Sequence, residues 1–189
     1  MSVVNIFLAD GFEDIEALAV SDVLRRGGVE TSLVSISDSL VVRSSHGVEV
    51  KADCLLSSLP LPEGNCSGQV MVFPGGMPGA KNLASCGDLV ERMRRHYAMG
   101  GILAAICASP GLVLSQLDSL EGVEFTCFEG FQDALVDKGA RYEKKPAVVC
   151  GRIITGRSAG YAVPFGLAVL SAVGGEAAVE KVHYGMYLD

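Results

Sequence analysis

Short apolar segments that stop at turn residues and give way to helical periodicity constrain this 189-residue chain more than any other feature of it. Val3–Leu8 reads as one apolar run ended by Asp10-Gly11, and residues 16–26 follow with helical spacing and a Gly27-Gly28 stop. The pattern recurs. Residues 31–36 predict a second strand, 40–43 and 47–51 a small hairpin, and 59–68, rich in Pro, Gly and Ser, a surface loop. Val70–Phe73 is a short strand closed by Pro74-Gly75-Gly76, residues 89–97 a helix, Ile102–Ile106 another strand and 110–117 a helix after it. Strands at 123–126, Ala147–Cys150 and 153–155 and helices at 165–173 and 177–184 complete the chain. Apolar strands joined through helices predict an α/β fold, with a largely parallel sheet covered on both faces. The length fits one domain over residues 1–189. In such sheets ligands bind beyond the carboxyl ends of the strands.

Charge narrows the partners. Acidic residues outnumber Lys and Arg by 22 to 15, and no basic run exceeds two residues, so nucleic acid and anionic membranes are poor partners. No apolar run reaches the ~20 residues of a membrane span. The first residues lack the basic start and cleavage site of an export signal, which predicts a cytoplasmic protein. There the six cysteines, 54, 66, 86, 107, 127 and 150, are expected as free thiols, and no C-x-x-C spacing suggests zinc.

Two residues stand out chemically. Ile102–Ile106 runs straight into Cys107-Ala108-Ser109-Pro110, the layout of a nucleophile elbow: small neighbours permit the tight turn, the sheet edge exposes the sulfur, and a helix start lowers the thiol pKa. The alternative is an inert buried cysteine. Glu16 shares its helical face with Ala19, Val20, Val23, Leu24 and Gly27, the stripe that packs on the sheet. Burial there keeps a carboxyl protonated and able to donate a hydrogen bond, whereas a plain helix-start acid would only serve the dipole. The Pro74-Gly75-Gly76 turn can present backbone N–H groups to an oxyanion, or can be a turn and nothing more. The histidines at 46, 96 and 183 are scattered, so no metal site is expected.

Ala9-Asp10-Gly11-Phe12-Glu13-Asp14-Ile15-Glu16, Phe73-Pro74-Gly75-Gly76 with Gly79-Ala80-Lys81-Asn82-Leu83, and Ala104-Ala105-Ile106-Cys107-Ala108 together resemble the ThiJ/PfpI superfamily, in the branch of the Parkinson-disease-associated protein deglycase and its bacterial relatives. The resemblance extends over nearly the whole chain. It implies a flavodoxin-like three-layer sandwich of the class I glutamine amidotransferase-like type and a homodimer. It makes Cys107 the nucleophile with a protonated Glu16 beside it, and Gly75, Gly76 and the Ala108 backbone an oxyanion-type pocket. It also places His46, in Ser44-Ser45-His46-Gly47, near the partner's Cys107. Two departures matter: Thr126-Cys127-Phe128 stands where several relatives carry a strand histidine, and His46 where they carry arginine. Without that strand histidine a Cys-His-acid triad is doubtful, and peptide hydrolysis lacks its proton shuttle.

The expected activity is therefore a cofactor-independent glyoxalase or deglycase acting on small reactive carbonyls. A redox sensor or chaperone that uses oxidation of Cys107 is the alternative, with a protease, amidase or thiazole-biosynthesis protein behind it.

Overall fold

A computed structural model describes residues 3–188. Its elements in chain order are β1 (Val3–Leu8), α1 (Asp14–Arg26), β2 (Glu30–Ser35), β3 (Val41–Arg43), β4 (Glu49–Lys51), β5 (Cys54–Leu55), β6 (Val70–Phe73), α2 (Gly79–Ser85) and α3 (Gly87–Ala98). Then follow β7 (Ile102–Ile106), α4 (Ser109–Leu112), β8 (Glu124–Phe125), α5 (Asp133–Val136), β9 (Arg141–Tyr142), β10 (Ala147–Cys150), β11 (Ile153–Gly156), α6 (Ala162–Gly174) and α7 (Glu176–Met186).

The main sheet has the order β10-β11-β7-β6-β1-β2-β5, parallel throughout except for the β10–β11 pair. Its middle five strands, β2-β1-β6-β7-β11, follow the flavodoxin-like 2-1-3-4-5 order. The strand sequences look uniformly apolar because both faces are buried, and alternate residues serve opposite layers. Val4, Ile6, Leu8, Ala104 and Ile106 pack with Val20, Val23 and Leu24 of α1 and Phe165, Val169 and Leu170 of α6. Phe7, Met71, Phe73, Leu103 and Ala105 pack instead with Leu83 of α2 and Leu89, Val90 and Met93 of α3. No helix of the described residues is long and apolar enough to cross a membrane.

Helix α1 starts two residues earlier than its periodicity predicts, because the Glu13 side chain caps it by accepting the Glu16 N–H at 2.8 Å. It stops where predicted: Gly28 takes φ +82°, and the N–H groups of Gly28 and Val29 return to the carbonyls of Arg25 and Leu24.

Other expectations are corrected. The helix expected over 110–117 is only α4 followed by a separate 3-10 turn at Leu114–Gln116. Gly111 there lies hard against the Phe131 backbone, and its weak helix propensity favours the break. The strand expected over 123–126 shrinks to β8, which pairs with β9 in a small separate sheet. The Thr126 N–H leaves the strand ladder to donate to Thr155 Oγ1 at 2.9 Å. Elements β5, β9, α2 and α5, two to seven residues each, are too short to show a period.

Leu170 of α6 is fully buried and lies against Gly27, where an added Cβ would overlap it. Leu170→Ala leaves a cavity between α1 and α6 that neither helix can close. Urea unfolding is expected to show a loss of about 2–5 kcal/mol with the fold retained.

Candidate active site

The site stands at the carboxyl ends of β7 and β6. Cys107, the residue after β7, has φ +65°, a left-handed conformation that costs a non-glycine residue about 1–3 kcal/mol. Neighbouring chain holds it there: its N–H donates to the Gly156 carbonyl at 3.0 Å, and its carbonyl accepts the Phe128 N–H at 2.9 Å. The buried Ser109 hydroxyl, which the sequence reading passed over, donates to the Pro74 carbonyl at 2.5 Å and ties this elbow to the turn after β6. Its only signal was a small polar residue directly behind an elbow. The partly buried sulfur is thereby raised beyond the sheet edge.

Glu16, on the first turn of α1, is wholly buried. Its Oε2 accepts the Gly75 N–H at 2.7 Å, while Oε1 has no well-formed hydrogen bond to any described residue. Burial pushes the carboxyl up to about 7, against the Gly75 N–H and the Cys107 thiol, which favour the carboxylate. Gly75 sits between the two acids: a Cβ there would lie 2.6 Å from both Cys107 Cβ and Glu16 Oε2 and 3.1 Å from Sγ. Only glycine allows the carboxyl and the thiol to approach from its two sides. Its N–H is committed to Glu16, so the donors left to the sulfur are the N–H groups of Gly76 and Ala108, both of which favour the thiolate.

The expectation of a thiol below its ordinary pKa is not met. Burial and the adjacent Glu16 carboxylate push Cys107 up to about 12, and α4, four residues long, offers little helix field. Both upward shifts have one origin. Two acids share a water-poor pocket, and the pair resists losing its second proton. When the remaining proton is on Glu16, the repulsion disappears and the acid can donate to sulfur.

His46, in the β3–β4 turn, is bonded through Nδ1 to Asp14 Oδ2 at 2.6 Å, and that hydrogen bond and charge raise its pKa. Within one chain it belongs to this exposed pair rather than to the dyad. Glu13, Asp14 and His46 bring ligand-type atoms within 4.8 Å of one another, but Glu13 caps α1 and Asp14 is already bonded to Ser44 and His46. The 126–128 segment does pass the elbow through Phe128. Cys127, however, is buried in the α2–α3 layer, where burial and Asp133 push its thiol up to about 12, so it supplies no base.

Residues 2–172 match the sequence profile of the DJ-1/PfpI family. The chain is 30% identical over 163 residues to the glutathione-independent glyoxalase DJR-1.2 of Caenorhabditis elegans, covering 86% of this chain and 83% of that protein. It is 31% identical over 175 residues to DJ-1 homolog A of Arabidopsis thaliana, covering 93% of this chain but only 44% of that protein. The chain thus spans less than half the length of the Arabidopsis relatives it matches. Among solved structures, Drosophila melanogaster DJ-1beta superposes with a TM-score of 0.90 at 28% identity, each chain fully covered. Oxidized DJ-1 of Toxoplasma gondii gives 0.86 at 30% identity, covering 99% of this chain and 98% of that one. The fold, the strand-end cysteine and the sequence match lead to one assignment: the chain belongs to the DJ-1/PfpI family.

Proposed function

We propose that the protein converts small α-oxoaldehydes such as methylglyoxal to hydroxy acids with Cys107 as nucleophile and Glu16 as proton carrier. One observation carries this reading: a strained cysteine and a fully buried carboxyl meet across Gly75, with the Gly76 and Ala108 N–H groups beside the sulfur. The similarity to a named glutathione-independent glyoxalase supports it.

The chemistry follows from the shared proton. The Cys107 thiol gives its proton to the Glu16 carboxylate as sulfur attacks the aldehyde carbon, and the resulting alkoxide takes that proton from Glu16, giving a hemithioacetal. The Glu16 carboxylate then removes the proton from that carbon, forming an enediolate, and returns it to the neighbouring carbon while the hydroxyl proton passes to the adjacent oxygen, which leaves a thioester of the hydroxy acid. Water attacks the thioester, the hydroxy acid departs, and sulfur regains its proton. Oxidation and reduction occur on adjacent carbons of one substrate, so no external redox partner enters. An aldehyde suits a site without a positioned histidine because its carbonyl accepts sulfur directly.

The unpartnered Oε1 of Glu16 favours a second reading. Two equivalents of hydrogen peroxide, each delivering one oxygen to sulfur and leaving as water, would take Cys107 through the sulfenic to the sulfinic acid, whose oxygen a protonated Glu16 could hydrogen-bond, and the protein would act as a redox sensor. Steady-state turnover separates the two.

We also propose that a second copy of the chain covers the exposed Ile15 and Leu18 of α1 and Val41 and Val48 of the β3–β4 hairpin. These elements are joined where the Gly11 N–H donates to the Arg43 carbonyl and the Ser45 N–H to the Phe12 carbonyl. A protonated His46 brought to the partner's Cys107 would then favour its thiolate.

Three outcomes are expected. With methylglyoxal, Cys107→Ser forms no lactate above background and Glu16→Gln turns over roughly 10²-fold more slowly; full activity in the Glu16 variant would leave that carboxyl a structural role only.

Glu16 also sets a pH dependence of stability. Its folded pKa of about 7 lies above the ordinary 4.5, so its share of stability is intact below pH 4.5 and is lost as pH rises through 7. The fall amounts to about 3 kcal/mol. Urea unfolding of wild type and Glu16→Gln at pH 4.5 and 8 is expected to show the variant gaining on wild type by that amount, and a difference that does not change with pH would contradict a buried neutral acid.

Sedimentation at micromolar concentration is expected to show a dimer, and Leu18→Asp a monomer. In the dimer, His46→Ala raises the Cys107 thiol pKa. A monomeric wild type, or an unchanged thiol pKa in the dimeric variant, defeats the shared-site arrangement.

A further inference from the structure

At the end of the sheet opposite Cys107 lies a second cavity, of about 510 Å³, among the amino-terminal halves of β1 and β2, the residues entering β6, helix α3 and the loop after β5. This volume is within the range of small-molecule sites, ~300–1,000 Å³. Three observations make it more than a surface irregularity.

The first concerns Asn5. Reading Val3–Leu8 as one apolar run passes over a polar residue in the middle of a central strand. By the strand alternation Asn5 shares the face of Phe7, under α3, where the rest of the sheet presents large apolar side chains. Its register partners on either side are Ser32 and Met71, so a polar pair crosses β1 and β2 at one level.

The second is that these groups have no internal partner. The side chains of Asn5 and Ser32 line the cavity, are partly buried, and make no hydrogen bond to any described residue, and the exposed Gln69 stands at its mouth with its amide likewise unpaired among the described residues. Polar groups that the protein leaves to water inside a cavity are free to pair with a ligand that displaces that water.

The third is that the wall is built. The loop carrying Leu59 and Pro60 is held off the sheet by Arg92, a guanidinium only 8% exposed, which donates through Nη1 to both of their carbonyls and through Nε to Asp88. These three bonds offset much of the cost of removing the guanidinium from water, and they fix the loop above the space it covers.

The lining selects the ligand. The charge of Arg92 is balanced by Asp88, its Nη1 is taken by two loop carbonyls, and burial holds His96 below the ordinary histidine range, so the lining carries no net positive charge to favour a phosphate or carboxylate. The exposed Glu30 and Glu63 add negative charge to the lining. Phe7, Leu56, Leu59 and Met71 supply apolar surface. Asn and Gln amides offer a donor and an acceptor side by side, which matches the edge of a heterocycle such as adenine. We propose that this cavity binds an uncharged, hydrogen-bonding heteroaromatic compound of nucleoside size, recognised by the amides of Asn5 and Gln69 and the hydroxyl of Ser32. The site is independent of Cys107 and of the reaction assigned to it.

Calorimetric titration tests this with adenosine, guanosine, cytidine and nicotinamide as probes, and with AMP as the charged counterpart of adenosine. At least one neutral probe is expected to bind one to one with Kd below ~1 mM. If it is adenosine, AMP binds at least about tenfold more weakly. Asn5→Leu is expected to weaken binding by at least about tenfold through loss of its paired hydrogen bonds. Leu61→Trp, at a half-exposed position of the lining, blocks entry without touching the core and decides the matter if Asn5→Leu does not fold. Cys107→Ser leaves binding unchanged. No saturable binding by any neutral probe, AMP binding as tightly as adenosine, binding that survives both lining substitutions, or binding lost in Cys107→Ser would each overturn the proposal.

Discussion

A carboxyl group sealed from water is the constraint around which the carboxyl end of the sheet is arranged. Glu16 lies on the face of α1 that packs against β1 and α6, and the backbone N–H of Gly75 is its one well-formed hydrogen bond among the described residues. That bond joins the helix after β1 to the turn after β6. It forces residue 75 to be glycine, since a side chain would occupy the space where the carboxyl and Cys107 meet. Burial, acting against that bond, pushes the carboxyl up to about 7, so a proton can be held beside the sulfur.

The sheet order explains why this meeting occurs where it does. The chain passes from β1 outward to β2 and later returns to place β6 on the other side of β1. The crevice at that reversal opens between the turn after β1 and the turn after β6, the two segments that carry Glu16 and Gly75. One strand further along, β7 delivers Cys107 to the same edge. Three segments distant in sequence therefore converge because of strand order, and local hydrogen bonds from Ser109 and Gly156 then fix their relative height.

Much of this was legible before any coordinates. The five parallel core strands are buried on both faces and so write themselves as apolar runs. The Gly27-Gly28 stop encodes a left-handed turn, and Glu16 betrays itself by sitting in an apolar stripe. What the sequence hid has physical reasons. The early end of β8 at Phe125 goes with Thr155 taking the Thr126 N–H, a contact across 29 residues that no periodicity announces. The upward shift of the Cys107 thiol depends on how much water the fold excludes and on the charge of a residue 91 positions away, neither of which spacing around the elbow reveals. Asn5 was absorbed into its strand because a single polar residue does not break an apolar run, yet it marks where the sheet stops being core.

The two ends of the sheet show opposite uses of the same scaffold. At the carboxyl end a left-handed cysteine and a buried acid each make the folded state less stable than an apolar, relaxed substitute would, and such strain persists only where surrounding structure leaves no alternative. Here the alternative is closed off from both layers: Ile106, directly before the elbow, is locked between β11 and the α1–α6 cluster, and Phe128 beyond it holds the Cys107 carbonyl. Relaxing Cys107 would require moving a central strand. At the amino end Arg92 of α3 fixes the loop carrying Leu59 and Pro60 above the sheet, and the strands there present Asn5 and Ser32 in place of core side chains. The same sheet thus closes tightly around strained backbone at one end and leaves a polar-lined space at the other.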